Sequence, residues 1–178
     1  MLQPVLHTHR LRLRPVGDAD LPGFIDIYAN PVTAHFLGGL CDDEDAWRRM
    51  ATMVGHLALR GYGPWALEEQ TTGVFIGYCG PWNPHGWPER EIAWTLRSAF
   101  HGRGYATEAA RAALAFAYEI LKWDTAVSCI ALDNVASIRV AERLGAVRER
   151  TTQNRGFQIG IYRHVSPAQL RQLPAAGC

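Results

Sequence analysis

The sequence has no run of apolar residues long enough to cross a bilayer, and its first fifteen positions break up their leucines with Arg10, Arg12 and Arg14. Neither a secretory leader nor a membrane anchor is expected, and a cytoplasmic location is. An excess of one charge is also lacking, since 18 Lys and Arg face 17 Asp and Glu for a formal net charge of +1. So small a charge gives no global field to draw in a phosphate backbone, which argues against nucleic acid as a partner. Cysteine is sparse: Cys41, Cys79, Cys129 and Cys178 lie far apart with no Cys-x-x-Cys pair, as suits reduced thiols rather than zinc ligands or bridges. The histidines, His7, His9, His35, His56, His85, His101 and His164, show no paired helical spacing, so no metal is assigned. Internal repeats and low-complexity tracts are absent too.

What is present fits a single domain over residues 1–178. The chain is 48% hydrophobic and 20% charged, which is ordinary for a globular protein that folds around one core. Residues 9–15 alternate Arg10, Leu11, Arg12, Leu13 and Arg14, the period-two signature of a half-buried strand. Asp18 offers an N-cap for a helix through Leu21, Phe24, Ile25, Ile27 and Tyr28, stopped by Asn30 and Pro31. The acidic cluster at 42–45 suits the positive end of a second helix, running through Trp47, Met50, Met53 and Leu57 to Gly61. Residues 64–80 read as a β-hairpin with apolar runs at 65–67 and 74–78. Residues 81–88, with Trp82 and Trp87 among three prolines, read as a rigid aromatic loop.

Residues 91–96 read as a strand, and 107–121 form the strongest helical pattern, whose many alanines imply close packing. Residues 125–132 read as a buried strand, 135–144 as a helix ended by Gly145, and 157–164 as a last strand. A short helix after Pro167 and a frayed end at 174–178 complete the expectation. The order implies an α/β domain around a mixed sheet with one strand-helix-strand crossover, not a doubly wound parallel one.

The informative stretch is 91–110, where a strand runs into His101, Gly102, Arg103, Gly104, Tyr105 and Ala106 and then into the alanine-rich helix. Glycines let the backbone come close to a diphosphate, several N–H groups share a direction, and the helix start adds partial positive charge. A plain strand-to-helix turn remains the competing reading of the glycines alone. A Walker A loop would need Gly-Lys-Ser/Thr, and a Rossmann turn a third glycine where Thr107 stands.

The stretch resembles the acetyl-CoA loop of the GNAT superfamily, Gln/Arg-x-x-Gly-x-Gly/Ala, with Gly104 and Ala106 in place and His101 in the first slot. The resemblance covers about residues 6–165. The segments at 8–15, at Asn30, Pro31 and Val32, at 61–65, at 104–109 and at 134–146 are similar, in that order, to the ribosomal-protein N-terminal acetyltransferase-like branch. It implies a mostly antiparallel central sheet flanked by helices and splayed between the strands at 91–97 and 125–132. It also implies acetyl-CoA as co-substrate, a primary amine as acceptor, and direct attack of that amine on the thioester. Homodimers are common among such proteins.

Acyl transfer to an amine needs a base, a home for charge on the thioester oxygen and a proton for the departing thiolate. By resemblance Glu91 is the base candidate, on one strand face with Ala93 and Thr95. Apolar Trp82 and Trp87 nearby would raise its pKa, and they are candidates for the acceptor pocket wall. A surface glutamate pairing with Arg90 or Arg97 is the competing reading. Backbone groups of Thr95, Leu96 and Arg97 would hold the pantetheine arm, one N–H near Thr95 serving the oxyanion. Gly102, Arg103, Gly104, Tyr105, Ala106 and Thr107 would hold the diphosphate.

The family's usual acid, a tyrosine seven residues after the second-motif asparagine, is replaced here by Ala141. Ser137, three residues after Asn134, is the substitute acid, and Asn134 a cofactor-binding candidate; a simple N-cap pair is the alternative for both. Of the spaced tryptophans, Trp65 and Trp94 read as core. The acceptor stays open between a protein N-terminus and a small amine, with a lean toward a neutral or peptide-like one because the loop at 81–91 offers only Glu89 and Glu91. A non-catalytic acyl-CoA sensor is the reading from another class.

Overall fold

Leu11 and Leu13 are fully buried while Arg12 points to solvent, so the alternation at the start of the chain does build a one-sided strand. The structure is a computed structural model that describes residues 3–154 and 156–173. The end expected to fray at 174–178, with Cys178, lies outside the described residues. The elements are β1 (Leu6–His7), β2 (Leu11–Arg14), α1 (Leu21–Ala29), α2 (Pro31–Ala34), α3 (Asp43–Arg60), β3 (Trp65–Glu69) and β4 (Phe75–Trp82). They continue with β5 (Glu91–Leu96), α4 (Tyr105–Glu119), β6 (Val127–Ala131), α5 (Val135–Arg143), β7 (Val147–Asn154), β8 (Phe157–Arg163) and α6 (Pro167–Gln172).

One eight-stranded open sheet has the order β1-β2-β3-β4-β5-β6-β8-β7. Every neighbouring pair is antiparallel except β5 and β6, which α4 joins by a crossover. The fold is thus the mixed, mostly antiparallel α/β sheet expected. On one face α4 lays fully buried Ala109, Ala110, Ala113 and Ala117 against Leu11, Trp65, Ile76 and Ile92. Methyl-sized side chains let the helix axis approach the strands closely. On the other face α1 and α3 bring Phe24, Ile27, Tyr28, Met50 and Met53 onto Tyr78.

Several boundaries differ from the sequence reading. Asp18 does not cap α1: residues Asp18–Asp20 form a 3-10 turn, and Asp20 instead accepts from Arg14 at 2.7 and 2.9 Å and from the Gly17 N–H at 2.9 Å. Pro81 and Trp82 belong to β4, not to the loop. Proline is tolerated there because β3 begins only at Trp65, opposite Cys79, so no strand lies on the N side of Pro81. α4 starts two residues before its predicted start, with Gly104 as its cap. The strand β7 was not predicted at all, since Val147–Asn154 is an edge strand wet on nearly all sides and shows no apolar alternation.

Candidate active site

The parallel strands β5 and β6 pair at a single position, Glu91 with Val127. Parity explains what lies beyond it. Arg97 N donates to Ile76 O at 2.9 Å, so in the antiparallel β4–β5 ladder residues 91, 93, 95 and 97 spend their main chain on β4. Residues 92, 94 and 96 turn theirs toward β6. Val127 N donates to Arg90 O at 3.0 Å, and the next rung of a regular ladder would carry Cys129 N to Ile92 O. Both partners of that rung are diverted: Glu91 Oε1 accepts from Cys129 N at 2.9 Å, and Ser128 Oγ donates to Ile92 O at 2.7 Å. The ladder stops and the strands part. The main-chain groups left facing the gap are those of Trp94 and the N–H of Leu96, whose carbonyl is taken by His101. This corrects the expectation for Thr95 and Arg97, whose amides belong to β4.

On the α1/α3 face the cross-strand neighbours are Tyr78 with Thr95, Gly80 with Ala93, and Trp82 with Glu91. Glycine and alanine leave low relief between two rows of larger side chains. Tyr28 Oη and Tyr78 Oη lie 3.0 Å apart beneath this surface, both buried. Arg97 is locked elsewhere, by Asp26 at 2.7 Å and by Phe75 O at 3.1 Å.

Glu91 is only 5% exposed, and no arginine pairs with it among the described residues, which removes the surface ion-pair reading. Its Oε2 accepts from the Trp87 indole at 2.5 Å. Burial pushes its pKa up to about 7, against the opposing pull of the Cys129 and Trp87 donors. Trp82 is half-buried and stacks on His56 with ring centres 4.4 Å apart. His56 Nδ1 donates to Tyr62 O at 2.9 Å and its Nε2 accepts from Asn83 N at 3.1 Å, which fixes the neutral ring. The other end of loop 83–90 is tied down by Glu89, which pairs with Arg163 at 2.7 Å and Arg150 at 2.6 Å.

Gly102 at φ +75° and Gly104 at φ +81° take left-handed conformations that only glycine adopts without cost, and so the turn before α4 can form. Among the described residues no side chain caps α4, and residues 101–104 are exposed, so the amides at the helix start are offered to solvent. Thr107 Oγ1 is buried in the same first turn with no partner among the described residues. The turn is braced from outside. Glu108 accepts from Thr8 Oγ1 at 2.6 Å, Arg10 N at 2.7 Å and Arg10 Nε at 2.8 Å. Arg10 also donates to Arg103 O at 2.9 Å and lies over Tyr105, whose hydroxyl donates to Glu69. His101, the departure in the loop pattern, places its Nε2 3.0 Å from Leu96 O and so closes the turn itself.

Asn134 caps α5 by accepting from Ser137 N at 3.1 Å, so the N-cap pair is present, with Ser137 half-buried. Ala141 is fully buried in a cluster with Ile130, Ala146 and Tyr162. Trp65 is fully buried as expected, while Trp94 is only partly so and touches two core clusters. Sequence reasoning missed Ser128, His164, Tyr28 and Tyr78. Ser128 left one signal, a hydroxyl in an otherwise apolar buried strand, which must find a partner. Among the described residues no helix is long and apolar enough to cross a membrane, no group of three or more His, Cys, Asp or Glu is placed to hold a metal, and Cys41, Cys79 and Cys129 are free thiols.

The comparisons with known proteins define the class to which a chain with this fold belongs. The acetyltransferase (GNAT) domain family matches residues 10–147. The uncharacterized protein YkkB of Bacillus subtilis is 31% identical over 166 residues, 90% of this chain and 95% of that one. The crystal structure of an acetyltransferase from Agrobacterium tumefaciens superposes with a TM-score of 0.84 at 32% identity, covering 93% of this chain and 96% of the other. An aminoglycoside acetyltransferase, AAC(6')-Ib, solved in complex with coenzyme A shares the fold at TM-score 0.73 and 19% identity, over 92% and 97% of the two chains. This chain belongs to the GNAT acetyltransferase family and is an N-acetyltransferase that uses acetyl-CoA.

Proposed function

We propose that the protein transfers the acetyl group to the primary amine of a neutral or peptide-like acceptor, such as a protein N-terminus, by direct attack on the thioester. The observation that carries this reading is the β5–β6 gap with Glu91 at its closed end. The diphosphate of the donor rests on the amides of Gly102, Arg103, Gly104, Tyr105, Ala106 and Thr107, with Asn134 across the gap. The pantetheine arm pairs with the gap-facing groups of Trp94 and Leu96, one of whose N–H groups takes the oxyanion.

Glu91, with a pKa near neutrality, accepts the proton lost by the amine, directly or through one water, as the nitrogen bonds to the carbonyl carbon. The C–S bond then breaks, and Ser137 or water protonates the departing thiolate. Trp82 and Trp87 wall the acceptor side. A polycation is disfavoured, because Glu89 is spent on Arg150 and Arg163, and Asp26 on Arg97. The same lean follows from the likeness of five sequence segments to the ribosomal-protein branch. A single domain, a cytoplasmic location and a homodimer complete the reading.

A panel of amines with thiol release as readout tests it. Peptides with a free N-terminus and neutral primary amines should give higher kcat/KM than spermidine or kanamycin. Faster turnover of the polycations would overturn the acceptor, and no amine-dependent thiol release from any member would overturn the transfer.

A further inference from the structure

The gap between β5 and β6 has a cause in side chains, and one of them lies outside the machinery already described. Two strands that begin to pair tend to go on pairing, because a buried amide or carbonyl left without a partner forfeits the hydrogen bonds it had in water. Here pairing starts normally at Glu91 and Val127 and fails at the very next rung. Glu91 takes the amide of that rung and Ser128 takes its carbonyl.

Ser128 is 1% exposed and sits on the α4 side of β6, the face opposite to Glu91. Its Oγ also lies 2.9 Å from Nε2 of His164, which is 4% exposed. Because the hydroxyl gives its one proton to Ile92 O, its oxygen accepts from His164, and the ring must carry its proton on Nε2. The bare Nδ1 has no partner among the described residues, as that tautomer allows in an apolar setting. The imidazole is neutral, since burial pushes its pKa down to about 4. His164 therefore sets the direction of the serine hydroxyl, and its own backbone is fixed by a bond from His164 N to Ala126 O at 3.0 Å.

We propose that Ser128, oriented by His164, is a positioning residue for the acyl donor: by occupying the Ile92 carbonyl it stops the β5–β6 ladder from zipping and keeps the Trp94 and Leu96 main chain open to the pantetheine arm. The proposal rests on the acyl-CoA reading of the gap. Without the hydroxyl, Ile92 O competes with Glu91 Oε1 for the Cys129 N–H, and moving that amide over to the carbonyl draws β6 toward β5. The donor must then reopen the strands before it can bind, which weakens its binding and leaves the chemical step alone.

The test compares Ser128→Thr with Ser128→Val, which share a shape and differ in the hydroxyl. Thr should keep the KM for acetyl-CoA near the native value, while Val raises it about tenfold with kcat little changed, a tenfold change being about 1.4 kcal/mol. A merely structural role would lower the melting temperature of the Val variant without a selective rise in donor KM. If Val does not fold, Ser128→Ala replaces it. Amide hydrogen exchange without any ligand supplies the second readout. The Trp94 and Leu96 amides should exchange fast in the native and Thr proteins and slowly in Val or Ala. Equal donor KM in Thr and Val, or fast exchange in both, would overturn the proposal. A native protein that fails to bind coenzyme A yet shows the exchange difference would instead sink the acyl-CoA reading and leave the wedge standing.

Discussion

Glu91→Gln should lower kcat by about 10²- to 10⁴-fold, the usual loss when a general base is removed, while leaving the KM for acetyl-CoA within a few-fold. The attacking amine must shed a proton as it bonds to carbon, and among the β5 residues facing α1 and α3 only Glu91 is ionisable. Its pKa of about 7 also fixes the pH dependence. Protonated glutamic acid cannot act, so kcat of the native enzyme at saturating acceptor should fall as pH drops through 7, in proportion to the protonated fraction of Glu91, and level off above it. Glutamine does not titrate, so the residual activity of the variant should lose that acid limb. Steady-state thiol release between pH 5 and 9 reads both effects. A variant that keeps full kcat, or an acid limb that survives the substitution, would remove Glu91 from the chemistry and leave it as the wedge that takes the Cys129 amide.

Gly77→Ala should be the most damaging of the small substitutions in the sheet. Gly77 has φ +152°, and a Cβ there would lie 2.2 Å from Thr95 O and 2.8 Å from Leu96 Cα, both backbone atoms of β5. Neither can rotate away, so β4 and β5 must move apart beside the gap. Overpacking of this kind costs about 3 kcal/mol or more, which for a domain of this size lowers Tm by roughly 10 °C. Gly17→Ala is the control, since its φ is −138° and nothing lies within 4 Å of the added carbon. Thermal melts that put the two variants within a degree of each other would show that β5 yields more freely than the packing implies.

Much of this was readable in the residues and some was not, for reasons that differ by element. The Arg-Leu alternation of β2 and the alanine face of α4 survive because each is a periodic pattern with one buried side. Asp42 and Gly61 mark the ends of α3 as sequence chemistry demands: Asp42 accepts from Asp45 N, and Gly61 takes φ +76°. The edge strand β7 leaves no such trace because it buries almost nothing. Glu91 is singled out by the family resemblance of its strand; the residues alone leave a surface ion pair with Arg90 or Arg97 equally open.

Which amides face the gap could not be read, because that depends on the parity of the β4–β5 register, a property of two strands together. Glu91 has one bond to a residue on the next strand, and Ser128 has one to β5 and one to His164 at the end of the last strand. Such contacts join positions 36 and 38 residues apart and show no local pattern. His101 is a related case: as a departure from a motif it looked like a lost ligand contact, and in three dimensions it is a partner of Leu96 O.

The most direct test of the account is a crystal structure of the protein with coenzyme A. The account predicts the diphosphate on the amides between Gly102 and Thr107, the pantetheine amides paired with Trp94 and Leu96 in the β5–β6 gap, and the sulfur at the end nearest Glu91. Coenzyme A bound elsewhere, or a thiol pointing away from Glu91 with the gap closed, would contradict it.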